Sequence, residues 1–333
     1  MLKFKKKHSV ASAPYRISLG GGGTDLPFYA SKNEGFMISA SIDEYITVMV
    51  AKRSLDKDIF LQYSETERVN SIDKVSHQII RELLKYFKIY DSFQVATFST
   101  MPTFTGLGAS STLIVAFIKS IRNLMGQTRT NIEIAEEAFH VEREILGLAG
   151  GYQDQYISSL GGIQIIKVSK DLKVACEPLV LGKKELKSLQ ESIFLIYTTI
   201  ERRSENIIED QKKKLKSDDK LVLDAYDQIK SIGIRAVSEL TEGRIREFGI
   251  GMDDHWKIKK TISSSISSTN IDSMYEEIKS LGALGGKIIG AGGGGFFMMV
   301  VDKQRDLFKE KLVNNGYKVL DFKFEFNGAH VLK

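Results

Sequence analysis

The chain has 333 residues, which is too long for one ordinary core and about right for two domains. Apolar residues make up 42% of it and charged residues 27%, proportions that are typical of a soluble globular protein and argue against a disordered or fibrous one. The net charge of +5, from 47 basic and 42 acidic residues, indicates a mild preference for small anions such as phosphorylated ligands and no dedicated nucleic-acid surface.

Cysteine content and hydropathy bear on the compartment. The single cysteine, Cys176, cannot form an internal disulfide and favours a reducing environment, so we expect the cytoplasm. The basic start, MLKFKKKHSV, leads into Ala-Ser-Ala-Pro and not into the apolar core of a signal peptide. Because no apolar run approaches ~18 residues, we expect neither export nor a membrane span.

The first predicted feature along the chain is a glycine-rich segment, APYRISLGGGGTDLP, at residues 13–27. Its glycines at 20–23 let a substrate lie against the backbone, because no Cβ stands in the way. Thr24 and Asp25 follow with side chains suited to sugar hydroxyls, and Arg16 precedes them at strand spacing. A glycine-rich hairpin with a solvated aspartate is the alternative interpretation.

Two strands and an apolar helix are predicted next. Residues 44–53 and 92–99 are rich in β-branched and aromatic side chains, which favours strands. Apolar side chains after Ser110 recur at helical spacing, and this predicted helix ends at Gly126.

The segment MPTFTGLGASST, at 101–112, lies just before that helix. A helix N-terminus offers unpaired N–H groups and the positive end of the macrodipole, so a glycine loop leading into it can hold an anion. Gly106 and Gly108 let the backbone approach phosphate oxygens, while Ser110 and Ser111 can cap the helix, bind phosphate or ligate Mg²⁺. The segment therefore predicts a nucleotide-phosphate site; a plain capped helix after a turn is the alternative.

A second helix is predicted to open at a capping box, Thr130-Asn-Ile-Glu, and to run to about Leu146. At about 100° per residue, Glu142 falls in the middle of its apolar face, among Ala135, Ala138, Phe139 and Leu146. A buried carboxylate costs several kcal/mol unless something compensates it. Glu142 is therefore a candidate Mg²⁺ ligand; the alternatives are a buried ion pair and a helix end that curls into solvent.

Asp154 follows in the segment GLAGGYQDQY, at 147–156. A glycine turn delivers this aspartate to the start of a short predicted helix, which is how a catalytic group is often positioned. Aspartate as a helix N-cap is the common alternative.

The second half mixes helices and strands without regular alternation, which favours an α+β architecture in two parts. A charged stretch at 182–191 precedes a predicted strand at 192–200, so we divide the chain into domains at 1–185 and 186–333. Residues 212–220 read as a hydrophilic connector or an exposed helix face. Further helices are predicted at 222–240, 243–262, 270–281 and 303–314, with a strand at 296–301 and closing strands at the end.

A third glycine cluster, GAGGGG at 290–295, matches G-x-G-x-x-G literally. A dinucleotide fingerprint should open a helix, whereas this cluster leads into the strand-like FFMMVV. The P-loop pattern is absent as well, because Gly286 and Lys287 are followed by isoleucine.

Taken in order, APYRISLGGGGTD, PTFTGLGASST and KIIGAGGGGFF resemble the three motifs of the GHMP small-molecule kinases, which include galactokinase, homoserine kinase, mevalonate kinase and phosphomevalonate kinase. The resemblance extends over nearly the whole chain. It implies ATP and Mg²⁺ as ligands. It also implies a fold with an N-terminal half like ribosomal protein S5 domain 2 and a ferredoxin-like C-terminal half, with ATP and the acceptor bound between them.

The resemblance implies roles for single residues. Asp154 matches the catalytic aspartate, Arg16 the basic residue beside it, and Ser110 with Glu142 the Mg²⁺ ligands. The nucleotide-phosphate loop corresponds to Pro102, Gly106, Leu107, Gly108, Ala109, Ser110, Ser111 and Thr112. Acceptor contacts correspond to Gly21, Gly22, Gly23, Thr24 and Asp25. The third motif, with Gly290, Gly292, Gly293 and Gly294, is expected to support the phosphate loop and close the acceptor pocket.

The first motif discriminates within the superfamily. Galactokinases read Gly-Glu-His-Thr-Asp where this chain reads Gly-Gly-Gly-Thr-Asp, which argues against galactose. The form GGGTDLP, with MDDHWKIKK at 252–260, is similar to bacterial kinases of D-glycero-D-manno-heptose 7-phosphate and to the kinase part of L-fucokinases. The resemblance implies phosphorylation of the anomeric C1 hydroxyl of the heptose, for GDP-heptose and surface polysaccharide; L-fucose is the alternative acceptor.

An acceptor that already carries a phosphate needs cations at its far end. Lys257, with Lys259 and Lys260, is a candidate, Arg202 and Arg203 are rivals, and a solvated helix face is the alternative. We expect no nucleic-acid or membrane partner, and the oligomeric state stays open, with a homodimer as one expectation. An inactive GHMP-fold binding or regulatory protein would lack the aspartate or the metal ligands, whereas this chain retains both.

Overall fold

The computed structural model describes residues 4–201, 204–216 and 220–332. Within these ranges, helices flank two β-sheets, an eight-stranded one and a four-stranded one. The α+β class predicted from the sequence is confirmed.

The larger sheet is built around two long antiparallel strands, whose pairing extends from His8 with Ala51 to Gly20 with Ile38. The second of them is long enough to pair with one strand near its start and with another near its end, so it crosses the whole sheet. Its strands are β1 (His8–Gly20), β2 (Gly35–Lys52), β3 (Ile59–Gln62), β4 (Thr66–Val69), β5 (Phe93–Ser99), β6 (Ile163–Val168), β7 (Val174–Pro178) and β12 (His330–Val331). Their order is β12-β1-β2-β5-β3-β4; in addition, β6 pairs with β2, and β7 pairs with β6.

Helices of the first half pack on this sheet. The central one, α3, is buried on nearly every side because it lies between the sheet and two other helices, which explains its almost uniformly apolar sequence. The helices are α1 (Pro27–Asn33), α2 (Gln78–Tyr86), α3 (Ala109–Leu124), α4 (Asn131–Phe139) and α5 (Gln153–Leu160). The predicted capping box at Thr130 is confirmed, with Thr130 and Glu133 bonded reciprocally.

The smaller sheet has the order β11-β8-β10-β9, and each pair of neighbours is antiparallel. Its strands are β8 (Ile193–Tyr197), β9 (Gly285–Ile288), β10 (Phe296–Val300) and β11 (Lys318–Leu320). Its helices, with the one that leads into it, are α6 (Lys183–Ser192), α7 (Ser204–Lys216), α8 (Lys220–Thr241), α9 (Ile245–Ile262), α10 (Thr269–Ser280) and α11 (Arg305–Asn314). In chain order, α7 to α10 lie between β8 and β9, and α11 lies between β10 and β11. This is the order of a β-α-β-β-α-β unit with several helices in the first connection, so the ferredoxin-like half is confirmed.

The two halves share buried contacts. One apolar cluster runs from the larger sheet through α8 and α9 to one face of the smaller sheet. The C-terminal strand β12 returns to β1, where Ala11 pairs with Val331. The predicted boundary at residues 185 and 186 lies inside α6, and the division into domains therefore stays a prediction.

Length and polarity rule out a bilayer span for each helix in the described ranges.

Candidate active site

The loop before α3 has the geometry of an anion site. Gly106 and Gly108 have φ angles of 78° and 87°, in the left-handed region that glycine adopts without strain. Gly108 is the N-cap of α3, and no side chain among the described residues caps this helix. Its first N–H groups are therefore left for a ligand, and the macrodipole favours a negative one.

The third glycine motif packs directly against this loop, backbone to backbone. A Cβ placed on Gly106 would lie 2.7 Å from the carbonyl oxygen of Ile289, and one on Gly290 would lie 2.8 Å from that of Gly106. A Cβ on Gly295 would lie only 2.2 Å from the carbonyl oxygen of Thr105. The second and third motifs, which are almost 200 residues apart, thus form one rigid support.

Replacement of Gly106 by alanine tests this contact. Gly316 is a matched control, because its φ angle is 80° against 78° at Gly106 but nothing lies within 4 Å of its Cβ position. Left-handed strain alone should cost about 1–2 kcal/mol in Gly316→Ala. In Gly106→Ala the overlap should add about 1–3 kcal/mol, seen in denaturant unfolding. Equal losses in both variants would mean that the two loops do not need this close contact.

Arg16 and Asp154 form a bidentate ion pair beside the same loop. Arg16 Nε lies 2.7 Å from Asp154 Oδ1 and Nη2 lies 2.9 Å from Oδ2, while Nη1 donates to the carbonyl oxygen of Gly106 at 2.6 Å. Arg16 is 4% exposed. A Cβ on Gly108 would lie 3.2 Å from Asp154 Oδ2, so the carboxylate touches the N-terminus of α3. Tyr152 is the N-cap of α5, so the alternative of Asp154 as a cap is wrong.

The first glycine segment turns between β1 and α1 and is not a hairpin. Gly21 lies against α8, since a Cβ on Gly233 would be 2.8 Å from its Cα. Thr24 is fully buried, and its hydroxyl bonds the backbone of Gly21 and Phe36, so its role in this structure is to hold the turn. Gly22 and Gly23 complete the turn.

Asp25 reaches from that turn to the start of α5. Its Oδ2 accepts from the N–H of Gln153 at 3.0 Å, and a Cβ on Gly151 would overlap it at 2.0 Å. Burial raises the pKa of Asp25, the N–H of Gln153 lowers it in part, and the charge of Asp154 raises it again. Two carboxylates therefore face the same end of α5, although the sequence separates them widely.

Glu142 is 2% exposed and lies in a widened π-helical turn, His140–Ile145, that continues α4. The predicted helix therefore reaches Ile145, but its last turn has a different period. Glu142 Oε2 accepts from Ser111 Oγ at 2.6 Å and from Gln155 Nε2 at 2.5 Å, and Oε1 lies 3.4 Å from Arg143 Nη1. Ser111, which the sequence did not single out as a partner of Glu142, makes this contact, while Ser110 is exposed one residue earlier.

The oxygen atoms around Glu142 fit Mg²⁺. Hydroxyl and carboxylate oxygens are ligands that Mg²⁺ accepts, and it takes only one or two carboxylates when phosphates complete its shell. Gln155 Oε1 is buried without a hydrogen-bond partner among the described residues, so this group lacks a donor such as a metal-bound water. The described ranges hold no cluster of three acidic, His or Cys side chains, so a cation here would depend on nucleotide oxygens.

The candidate cations of α9 separate into two environments. Lys257 has a side chain that is 59% exposed and pairs with Asp253 at 2.7 Å, and Lys260 pairs with Asp272 at 2.8 Å. Lys259 is buried, with 7% exposure, and its Nζ donates to the carbonyl oxygen of Gly290. Residues two apart on a helix do not share a face, which explains the difference between Lys257 and Lys259.

The other expected residues lie nearby or outside the described ranges. Arg202 and Arg203 lie outside them. Gly292 and Gly293 pack on Ile266, whose carbonyl oxygen accepts from the N–H of Gly293 at 2.7 Å. The remaining loop residues are Pro102, exposed, and Leu107, Ala109 and Thr112, which are buried or half-buried at the start of α3.

Comparisons with known proteins agree with this geometry. The model of the GHMP kinases N terminal domain matches residues 74–162, and that of the GHMP kinases C terminal domain matches residues 236–318. The D-glycero-alpha-D-manno-heptose 7-phosphate kinase of Campylobacter jejuni is 33% identical over 95% of this chain and 96% of its own length. The L-fucokinase/L-fucose-1-P guanylyltransferase of Bacteroides fragilis is 25% identical over 86% of this chain and 34% of its own length.

Solved structures show the same fold. The crystal structure of a D-glycero-D-manno-heptose 1-phosphate kinase from Bacteroides thetaiotaomicron superposes with a TM-score of 0.79 and 23% identity, over 97% of this chain and 98% of the other.

Proposed function

Since this chain belongs to the GHMP kinase family and is a phosphotransferase that acts on a sugar hydroxyl, we propose that its acceptor is D-glycero-D-manno-heptose 7-phosphate. In this proposal ATP phosphorylates the anomeric C1 hydroxyl and the product is the 1,7-bisphosphate. The similarity to the kinase of Campylobacter jejuni, over almost the full length of both chains, supports this acceptor.

One contact carries the mechanistic part of the proposal: the carboxylate of Asp154 touches Gly108, the N-cap of α3. A γ-phosphate held by the N–H groups of α3 would then lie beside a carboxylate that can accept the proton of a sugar hydroxyl. Phosphoryl transfer has a loose transition state, so positioning and charge stabilisation contribute more than prior deprotonation.

Arg16 orients this carboxylate. Its Nε and Nη2 each bond one oxygen of Asp154, which leaves the remaining lone pairs of both oxygens for the acceptor hydroxyl. Its Nη1 bonds Gly106, so the guanidinium also connects the carboxylate to the phosphate loop. A cation between the two groups offsets negative charge that builds up as the phosphoryl group moves.

Ser110 and Glu142 are the residues that we propose to hold Mg²⁺, with Ser111 and Gln155 orienting the glutamate. An ion held there would neutralise negative charge on the phosphates of the nucleotide.

We assign acceptor binding to the turn of Gly21, Gly22, Gly23 and Asp25, with Thr24 holding its shape and Gly292 and Gly293 on the opposite side. Lys257 is our candidate for the 7-phosphate, because its side chain is 59% exposed and its ammonium can exchange Asp253 for a phosphate. We place the reaction in the cytoplasm, where ATP is available, on the route to GDP-heptose and surface polysaccharide.

An ADP-release assay tests the acceptor. We expect turnover with D-glycero-D-manno-heptose 7-phosphate and kcat/KM at least ~10²-fold lower with L-fucose or unphosphorylated heptose, since a site built for a charged group rejects analogues that lack it. Phosphorus NMR of the product should show a phosphate on C1. A preference for L-fucose would replace this proposal with the fucokinase alternative.

The alternative from a different class is an inactive GHMP-fold binding or regulatory protein. The ion pair of Arg16 and Asp154 argues against it, because such a protein has no need of an oriented carboxylate at the phosphate loop. Absence of ADP release with every sugar and sugar phosphate, in a protein that still binds ATP, would favour it.

A further inference from the structure

Three basic side chains are buried behind Arg16. His255 and Lys259 lie one turn apart on the same face of α9, and Lys287 lies on β9, the strand on which α9 packs. Their exposed fractions are 0% for His255, 7% for Lys259 and 1% for Lys287. Lysines are almost never buried this deeply unless they are paired.

These side chains lack the usual compensation. Neither Lys259 nor Lys287 forms an ion pair with a described residue, and neither ring nitrogen of His255 has a hydrogen-bond partner there. Two other lysines show the contrast, since Lys257 and Lys279 both pair with Asp253 at 2.7 and 2.8 Å. The cluster therefore has no ion-pair partner among the described residues, and a bound anion could compensate its charge.

Of the three, Lys259 is the one whose hydrogen bond connects it to the phosphate loop. Its Nζ donates to the carbonyl oxygen of Gly290, and Gly290 packs against Gly106, whose own carbonyl accepts from Arg16. Burial, and to a smaller extent the charge of Arg16, lower the pKa of Lys259 to about 8, although the charge of Asp25 acts in the opposite direction.

Lys287 and His255 are close enough to Lys259 to be affected by its charge. Burial and the charges of Lys259 and Arg16 hold the pKa of Lys287 well below its usual range. Burial and the charges of Lys287 and Lys259 do the same for His255. Neither of these groups is an anion, and the ammonium of Lys259, which donates one hydrogen bond to Gly290, has two further donors for an anion from the cleft.

We propose that Lys259 contacts the phosphoryl group during its transfer, as a second cation beside Arg16. In that step the bond from phosphorus to the acceptor oxygen forms while the bond to the β,γ-bridging oxygen of ATP breaks, and the acceptor proton goes to Asp154. The proposal rests on the proposed kinase function but not on the identity of the sugar.

Kinetics of Lys259→Met test the proposal, with Lys309→Met as the control, because Lys309 of α11 forms an exposed ion pair with Asp321 and has no part in the proposed site. We expect kcat to fall by ~10²–10³-fold in the first variant, as for other lost transition-state donors. The control should stay within about twofold at saturating acceptor, because an exposed pair contributes little. Lys259→Arg keeps the charge and should recover part of the rate.

Thermal unfolding separates this role from a structural one. An apolar side chain of similar volume removes a buried charge, so Lys259→Met should melt at the same temperature as the wild type or higher. Unchanged kcat together with a lower melting temperature would overturn the proposal and leave Lys259 as an anchor for Gly290.

Proton uptake gives a readout that needs no turnover. Near about pH 8.5, just above the pKa of Lys259, most of the Lys259 side chains are neutral. The negative charge of a bound phosphate should raise this pKa, so that Lys259 takes up a proton from the buffer. Calorimetry of MgAMP-PNP binding, in two buffers of different ionisation enthalpy, should show uptake of up to about one proton in the wild type and none in Lys259→Met. The facing groups, Arg16, Asp25, Asp154, His255 and Lys287, are the same in both proteins.

Separate titrations with MgAMP-PNP and with the sugar phosphate show which of the two phosphates Lys259 contacts. Uptake with the sugar phosphate alone, and none with MgAMP-PNP, would assign Lys259 to the acceptor and overturn the proposal. Proton uptake with MgAMP-PNP, in a protein that does not phosphorylate heptose 7-phosphate, would support the proposed role of Lys259 and reject the proposed acceptor. No uptake with either ligand would overturn the role of Lys259 whatever the acceptor is.

Discussion

Asp154→Asn is expected to lower kcat by ~10³-fold while ATP affinity changes only a few-fold. The asparagine has the same shape, but its amide cannot take the proton of the acceptor hydroxyl, and only one of its two polar atoms can accept from Arg16. ATP affinity should persist because, among the described residues, the hydrogen bonds of this carboxylate are with Arg16 and not with the backbone of the phosphate loop. Single-turnover ADP release and a nucleotide titration measure the two quantities separately.

Asp56→Asn is the matched control, because Asp56 also forms a two-contact pair with an arginine, Arg53, away from the proposed site. This pair is partly exposed, so its loss should leave kcat unchanged and have little effect on the unfolding free energy. Near-normal turnover in Asp154→Asn would reject Asp154 as the proton acceptor. A nucleotide affinity that falls together with kcat would instead assign the residue to the phosphate loop.

The elements that local sequence patterns specify were predicted correctly. The apolar helix after the glycine loop corresponds to α3, and Thr130 and Glu133 cap α4, because helix periodicity and capping depend on residues a few positions apart. The three glycine motifs could also be recognised, since each marks a backbone position where a Cβ does not fit. Gly106 and Gly290 are the clearest examples.

What the sequence could not reveal depends on contacts between distant segments. The packing of Gly290 on Gly106 joins opposite halves of the chain, and no local pattern encodes it; only the resemblance to the GHMP kinases predicted that the third motif supports the phosphate loop. The burial of Lys259 was missed for the same reason: in the sequence it lies in a basic stretch like any solvated helix face, and only the packing of α9 on β9 separates it from Lys257. The π-helical turn around Glu142 also departs from the regular period on which the prediction relied.

Thr24 shows that neighbouring residues of one motif can make different kinds of contact. Thr24 and Asp25 were predicted together as partners for sugar hydroxyls, but the hydroxyl of Thr24 bonds the backbone and is fully buried. A side chain that stabilises a turn and one that faces a ligand look alike in a sequence, because both are short and polar.

Glu142→Gln is expected to raise the Mg²⁺ concentration for half-maximal rate by at least ~10–100-fold, with a smaller change in kcat at saturating Mg²⁺. The amide keeps the volume and an oxygen that can accept from Ser111, but it removes the charge that attracts the cation. Glu142→Ala should have the larger effect and also lose about 1–3 kcal/mol of unfolding free energy, because Ser111, Gln155 and Arg143 lose a buried partner.

Glu239→Gln separates loss of the metal from loss of a buried charge. Glu239 is 2% exposed, the same as Glu142, and pairs with Arg235 at 2.8 Å on α8, so its replacement removes an equally buried carboxylate far from α3 along the chain. A magnesium titration should move in Glu142→Gln and stay unchanged in Glu239→Gln, while both variants keep their fold by circular dichroism. If the titration of Glu142→Gln matches that of the wild type, Glu142 is a structural acceptor for Ser111 and Gln155, and the cation must be held by the nucleotide and Ser110 without it.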